Sequence, residues 1–247
     1  VAIKGYVTDG HKFIEKSKEL GAEVAIVEYF VDVDIKQIKV ENSRITLADM
    51  ATNFYENPSK EMNIIGITAT NGKTTTAFMI DSILKRDKRK TGIIGTVLTR
   101  YDDIKIPSVL TTPESLVLQS YLRDMKDREI TDVTMEVSSS AQELFRNKNI
   151  DFDIVTFNNL GREHIDQHGS FENYFHYKSR LIRHAKKDAV VILNKDNEKI
   201  YSLKDYTKAK VLSFSLENND ADFGISNLDL STGKGNFTFK INRDIDL

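Results

Sequence analysis

Between residues 63 and 194 the sequence repeats one event: a short apolar run, a polar turn, then a segment with apolar residues spaced three to four apart. NIIGIT (63–68), TGIIGTVL (91–98), TDVTMEV (131–137), DIVTFNN (153–159) and AVVILN (189–194) read as strands. Helical patterns lie between them at 74–87, PESLVLQSYLRDMKDR, 140–146 and SFENYFHYKSRLIRHA. Strands that alternate with helices pair in parallel, because each crossover returns the chain to the same end. The expected fold class is therefore α/β, with a mostly parallel sheet flanked by helices on both faces. Ligands in that architecture gather at the carboxyl ends of the strands.

Upstream, VAIKG and EVAIVEYF read as strands around a helix at GHKFIEKSKELG, which Gly21 closes, and ITLADMATNFYENPS reads as another helix. Pro58, Ser59 and Lys60 form a polar break, so the expected domains are 1–58, a small partial α/β unit, and 59–247, a larger central one. From residue 209 the segments KVLSFSL, FGISNLDLS and NFTFKIN alternate between Asn, Gly and Asp turns, which suggests antiparallel edge strands.

A net charge of -2 argues against a broad basic surface and hence against nucleic acid as a partner. The absence of Cys removes disulfides, thiolate metal sites and a Cys nucleophile, and fits a reducing compartment, with the cytoplasm as the default. No apolar run reaches the roughly 18 residues of a membrane span, and the start lacks the order of a signal peptide. The chain opens inside an apparent strand without an initiator Met, so residues are expected upstream.

The first chemical signal is TATNGKTTT at 68–76, a polar loop between strand and helix. A helix that begins near Gly72, Lys73 and Thr74 leaves its first N–H groups unpaired and favours an anion there. Lys73 would add charge for outer phosphates, and the Thr74 hydroxyl a magnesium ligand. The strict G-x-x-x-x-G-K-[ST] pattern fails by one residue, because Ile67 stands where the first glycine belongs. A capped turn before a Thr-rich helix accounts for the same residues.

Other polar residues follow the strands: Thr111, Thr112 and Pro113; Glu136 with Ser138, Ser139 and Ser140; and NNLGREHIDQHG at 158–169. Hydroxyls, a carboxylate and a histidine at neighbouring strand ends suit magnesium and a phosphorylated intermediate. The Ser and Thr runs equally suit helix caps. His164 and His168 lack a third zinc ligand at convincing spacing, and LNKDN at 193–197 reads as a turn. Lys178, among Phe171, Tyr174, Phe175, Leu181 and Ile182, reads as a lysine whose stem covers apolar surface. A buried lysine also loses its proton readily, and a neutral amine captures carbon dioxide as a carbamate.

Taken together, TATNGKTTT, TTPES, MEVSSSAQELFR, NNLGREHIDQHGSFENYFHYKSRL and AVVILNKDN resemble in order and spacing the Mur ligases, most closely the MurE-type UDP-N-acetylmuramoyl-tripeptide synthetases. The resemblance runs from about residue 1 to residue 240, and the combination is far more specific than any one motif. The phosphate loop of that family typically reads T-G-T-N-G-K-T-T, which also breaks the strict spacing. The resemblance implies an ATP-dependent amide ligase of peptidoglycan precursor synthesis. In such an enzyme ATP phosphorylates the D-glutamate carboxylate of UDP-N-acetylmuramoyl-L-alanyl-D-glutamate, and the amine of an incoming amino acid displaces phosphate.

By the same resemblance Thr70, Asn71, Gly72, Lys73, Thr74 and Thr75 hold ATP, while Thr74, Glu136, His164 and Lys178 serve Mg2+, with Lys178 carbamylated. Lys73, Lys178 and His164 are the implied catalytic set. Thr111, Thr112, Ser138 and Arg146 fall near the acceptor peptide, and Tyr6 near its UDP group. The implied partners are the UDP-muramoyl dipeptide and an amino acid, with no nucleic acid, no membrane insertion and a monomeric chain.

Ala69 stands where the family has Gly, Ser140 replaces a His, Gly161 a Ser or Thr, and Glu163 an Asp. The chain is expected to be a fragment, part of the UDP-binding domain plus the central ATP-binding domain, without the family's third domain. Two other readings stand beside this one: a nucleotide or UDP-sugar binding module without turnover, and a ligase of the same fold acting on a folate or an amino-acid polymer.

Overall fold

A computed structural model of the chain describes residues 1–163, 168–217, 220–229, 231 and 235–242. The centre of the fold is β3 (Asn63–Thr68), buried from Ile64 onwards because both faces of its sheet are covered. It lies between β7 (Asp132–Glu136) and β8 (Ile154–Phe157), parallel to both. On the β7 side come β4 (Thr91–Ile94), β5 (Leu98–Tyr101) and β6 (Ile104–Pro107). On the β8 side come β9 (Val190–Asn194), β10 (Lys210–Ser215), β11 (Phe223–Asp229) and β12 (Asn236–Ile241), which completes a ten-stranded sheet. The connection after β3 runs to β4 on one side and the one after β7 crosses back to β8 on the other, and the crevice this opens at the carboxyl ends is where the polar loops meet.

Helices α3 (Lys73–Arg86), α4 (Ser115–Asp127), α5 (Ser139–Glu143) and α6 (Phe171–Arg183) fill the connections. The main apolar cluster includes Ile64, Leu118, Leu122, Met125, Val133, Phe157, Leu181 and Leu193. In α6 the spacing of Tyr174, Lys178, Leu181 and Ile182 puts all four on the buried side, and Ser170 caps its start by accepting from the Asn173 amide at 3.1 Å.

Two expectations are corrected at the sheet edges. Within TGIIGTVL the strand ends at Ile94, the chain bends over 95–97, and Leu98 already opens β5, which pairs antiparallel with β4 and with β6. The strands after residue 209 are not an antiparallel set: β10 runs parallel to β9, β11 parallel to β10, and only β12 is antiparallel, to β11. The reason lies between β9 and β10, where a short helix α7 (Glu198–Tyr201) and a 3-10 turn bury Ile200 and Leu203. That excursion brings the chain back to the amino end of β9, so Lys210 starts opposite Val190.

The first sixty residues build a second, smaller assembly. β1 (Val24–Val27) pairs in parallel with β2 (Lys36–Lys39) over a separate cluster of Ala2, Ile14, Ala25 and Val27, with α1 (Ile14–Glu19) alongside. VAIKG, read above as a strand, contributes only an isolated bridge between Lys4 and Asp9. Helix α2 (Ser43–Phe54) packs across α4, with the Gln119 amide donating to Thr52 at 3.1 Å.

Candidate phosphate and metal site at the strand ends

The loop from Ala69 to Gly72 joins β3 to α3, and its one left-handed residue is Gly72, at φ 83°. Glycine adopts that angle without the strain a side chain would bring, which aims the chain into the helix. No side chain caps α3. The first amides of the helix therefore point into the crevice without an acceptor, and the dipole adds positive potential at the same place.

The segment that follows β8, with one side chain of α6, holds the loop. The Thr70 amide donates to the Asn159 carbonyl at 3.0 Å, and the Asn71 amide to Asn159 Oδ1 at 2.9 Å. Thr70 Oγ1 accepts from the Gly161 amide at 2.8 Å and lies 3.0 Å from the Tyr174 hydroxyl. Asn71 Nδ2 donates to Glu163 at 3.0 Å. Thr75 is exposed one position beyond Thr74.

Lys73 folds back over the loop, its Nζ donating to the carbonyls of Ala69 at 2.9 Å and Thr70 at 3.1 Å. Burial lowers its pKa, against the pull of Glu136 and Glu163. Lys178 arrives from α6 and donates to the same Ala69 carbonyl at 2.6 Å, with its Nζ 4.9 Å from the centre of the Tyr174 ring. It is only 2% exposed, and burial, reinforced by the charge of Lys73, lowers its pKa to about 7. The bland reading of this lysine, with its amine reaching water, does not hold.

Across the crevice Glu136, 1% exposed, ends β7. Its Oε2 accepts from Thr74 Oγ1 at 3.0 Å and Thr96 Oγ1 at 2.8 Å, and its Oε1 from the Thr96 amide at 2.9 Å. Thr96 Oγ1 is also 3.1 Å from Thr111 Oγ1. A Cβ on Gly95 would sit 2.2 Å from Glu136 Oε1, so this bend accepts only glycine while Glu136 keeps its place. Thr96 and Gly95 escaped sequence reasoning. The one signal for them is a Gly-Thr pair interrupting the apolar run at 91–98.

A second group surrounds α5. Thr112, fully buried, donates to the Glu136 carbonyl at 2.8 Å and accepts from the Ser138 amide at 3.2 Å, which ties this group to the first. Ser138 caps α5 by accepting from the Ala141 amide at 3.1 Å. Arg146 pairs with Glu114 at 2.9 Å. His168 lies 2.9 Å from Ser139 Oγ and 3.1 Å from Glu143. Tyr6 stands beside Glu143, and burial followed by that carboxylate raises its phenol pKa. Tyr6 thus reaches the α5 group and has no recorded contact with Lys73 or Glu136. His164, expected as a metal ligand and catalytic residue, lies outside the described residues.

Residues 67–246 match the Mur ligase middle domain family. The chain belongs to this family. It is 38% identical over 94% of its length to the UDP-N-acetylmuramoyl-L-alanyl-D-glutamate–2,6-diaminopimelate ligase of Bacillus velezensis, of which it covers 48%. A solved structure of a ligase of that name superposes with a TM-score of 0.82 at 25% identity, covering 94% of this chain and 48% of the other. The MurF ligase of Thermotoga maritima in complex with ADP superposes with a TM-score of 0.63 at 26% identity, covering 97% of this chain and 52% of the other. The chain spans about half the length of the curated relatives it matches.

Against the Mur ligase pattern, three departures acquire a physical meaning. Ala69 is buried and is not among the positive-φ residues, so the backbone condition under which alanine would be strained there is not met. A Cβ at Gly161 would meet Thr70 Cγ2 at 3.4 Å, so the pocket has room for the side chain this chain lacks. Glu163 reaches Asn71 across the loop.

Among the described residues no group of three or more His, Cys, Asp or Glu side chains is placed to hold a metal ion by itself. A cation between β7 and α3 would rest on Glu136 and the Thr74 hydroxyl. Those oxygens fit magnesium, which takes few protein ligands and completes its shell with water and phosphate.

Proposed function

We propose that the chain carries the ATP-binding part of an amide ligase of peptidoglycan precursor synthesis. The ligase adds an amino acid to UDP-N-acetylmuramoyl-L-alanyl-D-glutamate through an acyl phosphate. The observation that supports this best is the meeting of Lys73, Lys178, Thr74 and Glu136 around one loop at a helix amino terminus. Residues 59–247 form the ATP-binding domain and residues 1–58 part of the UDP-binding one. The names of the relatives suggest 2,6-diaminopimelate as the incoming amino acid.

In this reading the amides of Gly72 to Thr75 and the Lys73 ammonium bind the nucleotide phosphates. Lys73 then exchanges its two loop carbonyls for phosphate oxygens, a charge-assisted contact in place of a neutral one. Thr74 and Glu136, with His164 as a third candidate, would hold Mg2+, which would supply neutralisation of phosphate charge and orientation of the transferred group. Thr96 positions Glu136 through two hydrogen bonds. Lys178, half neutral near pH 7, is the candidate for carbamylation, which replaces a buried cation by an anion facing the same crevice. Thr111, Thr112, Ser138 and Arg146 place the acceptor carboxylate, and Tyr6 lies toward its UDP group. The chain acts as a monomer in the cytoplasm.

Calorimetric titration with a non-hydrolysable ATP analogue plus magnesium, then with the UDP-muramoyl dipeptide, tests the reading. Both ligands should bind, and Lys73→Ala should lose only the nucleotide. Nucleotide binding that is indifferent to Lys73 and magnesium would overturn it.

A further inference from the structure

A cavity of about 740 Å³ opens at the other end of the sheet, within the size range of small-molecule sites. Its walls come from the segment before β3, the loop between α5 and β8, and the carboxyl end of α6. Arg180 lines it. At 100° per residue, Arg180 projects about 200° round α6 from Lys178, away from the phosphate loop.

Two groups in this wall have donors to spare, one half-buried and one buried. The first is the Arg180 guanidinium, whose Nη1 donates to the Gln142 carbonyl at 2.8 Å and whose carbon sits 4.6 Å from the centre of the Phe145 ring. Burial lowers its pKa, and only the Tyr177 phenol opposes that shift. No carboxylate pairs with it among the described residues, although Lys148 and Lys186 in the same wall pair with Asp49, Asp151 and Asp153. The second is Gln142, which is 7% exposed and whose buried Nε2 has no acceptor. An unpaired amide donor at that depth is costly, so an acceptor on a ligand there is favoured.

With Nη1 engaged, the free edge of Arg180 is Nε with Nη2, two parallel donors whose spacing matches the two oxygens of a carboxylate. Phe145 stacks on the guanidinium face and leaves that edge uncovered by the ring. Ile150, Phe152 and Leu181 give the wall an apolar patch among polar and charged side chains such as Asn147, Lys148 and Asp151.

We propose that this cavity is a second ligand site, for a small organic acid whose carboxylate sits on Arg180 and Gln142 and whose apolar body lies on Ile150, Phe152 and Leu181. The site is separate from the phosphate loop and does not rest on the ligase reading. It joins the segment before β3 to α5, so its occupant bridges the two assemblies of the chain.

The test is titration of the 247-residue chain with benzoate, succinate and inorganic phosphate, followed by calorimetry and thermal shift. Benzoate should bind with a Kd of about 1 mM or tighter, and phosphate at least about tenfold more weakly. An ATP analogue should not displace benzoate. Arg180→Lys keeps the charge and loses the fork, and should weaken benzoate about tenfold or more. Gln142→Leu removes the orphan donor and should weaken it while leaving the chain folded. No saturable binding by any organic acid would mean a cavity that holds only water. Binding unchanged in both variants, or phosphate binding as tight as benzoate, would equally overturn the proposal.

Discussion

Lys73 and Lys178 converge on one atom: both ammonium groups donate to the carbonyl oxygen of Ala69, at 2.9 and 2.6 Å. Two buried cations on a single neutral acceptor repel each other, and the repulsion is part of what lowers the pKa of Lys178. An anion entering the loop, or conversion of Lys178 to a carbamate, relieves it. The pair therefore favours an anion at this loop.

Lys73→Ala should weaken the magnesium complex of an ATP analogue by about 100-fold, because a charge-assisted contact of about 1.5–3 kcal/mol is lost together with the positive potential around it. Calorimetry at fixed magnesium reads this directly. A change below about threefold would be inconsistent with Lys73 as a phosphate ligand.

Lys178→Met should stabilise the unliganded chain at low pH. The folded-state pKa of about 7 lies below the ordinary 10.5, so between those values the unfolded chain binds more protons and stability rises with pH. The burden of the charged amine is complete below pH 7 and absent above pH 10.5. In carbon-dioxide-free buffer, urea melts at about pH 6, 8 and 10 should show the variant ahead by a few kcal/mol at the lowest pH and level at the highest. A gap that does not change with pH would rule out a depressed Lys178.

Gly95→Ala should displace Glu136, since the new methyl would lie 2.2 Å from Oε1. The expected outcome is a folded chain, less stable by about 1–3 kcal/mol, with a weaker magnesium dependence of nucleotide binding. Unaltered magnesium dependence would argue that Glu136 has no part in holding the cation.

Tyr174→Phe removes the hydroxyl 3.0 Å from Thr70 and leaves the ring under Lys178. A loss of about 1 kcal/mol in stability is expected, with nucleotide affinity reduced less than in Lys73→Ala. Chemical denaturation and calorimetry on one preparation separate the two effects.

The central strands were legible because their apolar runs are continuous, as full burial requires, and the loop after β3 because a Gly-Lys-Thr at a strand–helix junction has few uses. The direction of β10 was not legible: KVLSFSL looks the same in either orientation, and only the buried excursion through Ile200 and Leu203 sets it. Thr96 was hidden because its role depends on Glu136, forty residues away in the chain, turning back towards β4. The depth of Lys178 was likewise invisible, since a lysine on an apolar helix face reads the same whether its amine meets water or a carbonyl.

Beside the buried packing of α2 on α4, ion pairs rim the joint between residues 1–61 and the larger unit: Arg123 with Glu56, Lys126 with Glu61, Lys148 with Asp49, and Arg44 with Glu114. Such contacts trade readily for water and counter-ions, each worth little alone. The rim of the seam is therefore tuned by electrolyte, while Ala48, Ala51 and Gln119 stay buried behind it. Higher ionic strength should therefore loosen this rim while each assembly keeps its own apolar cluster.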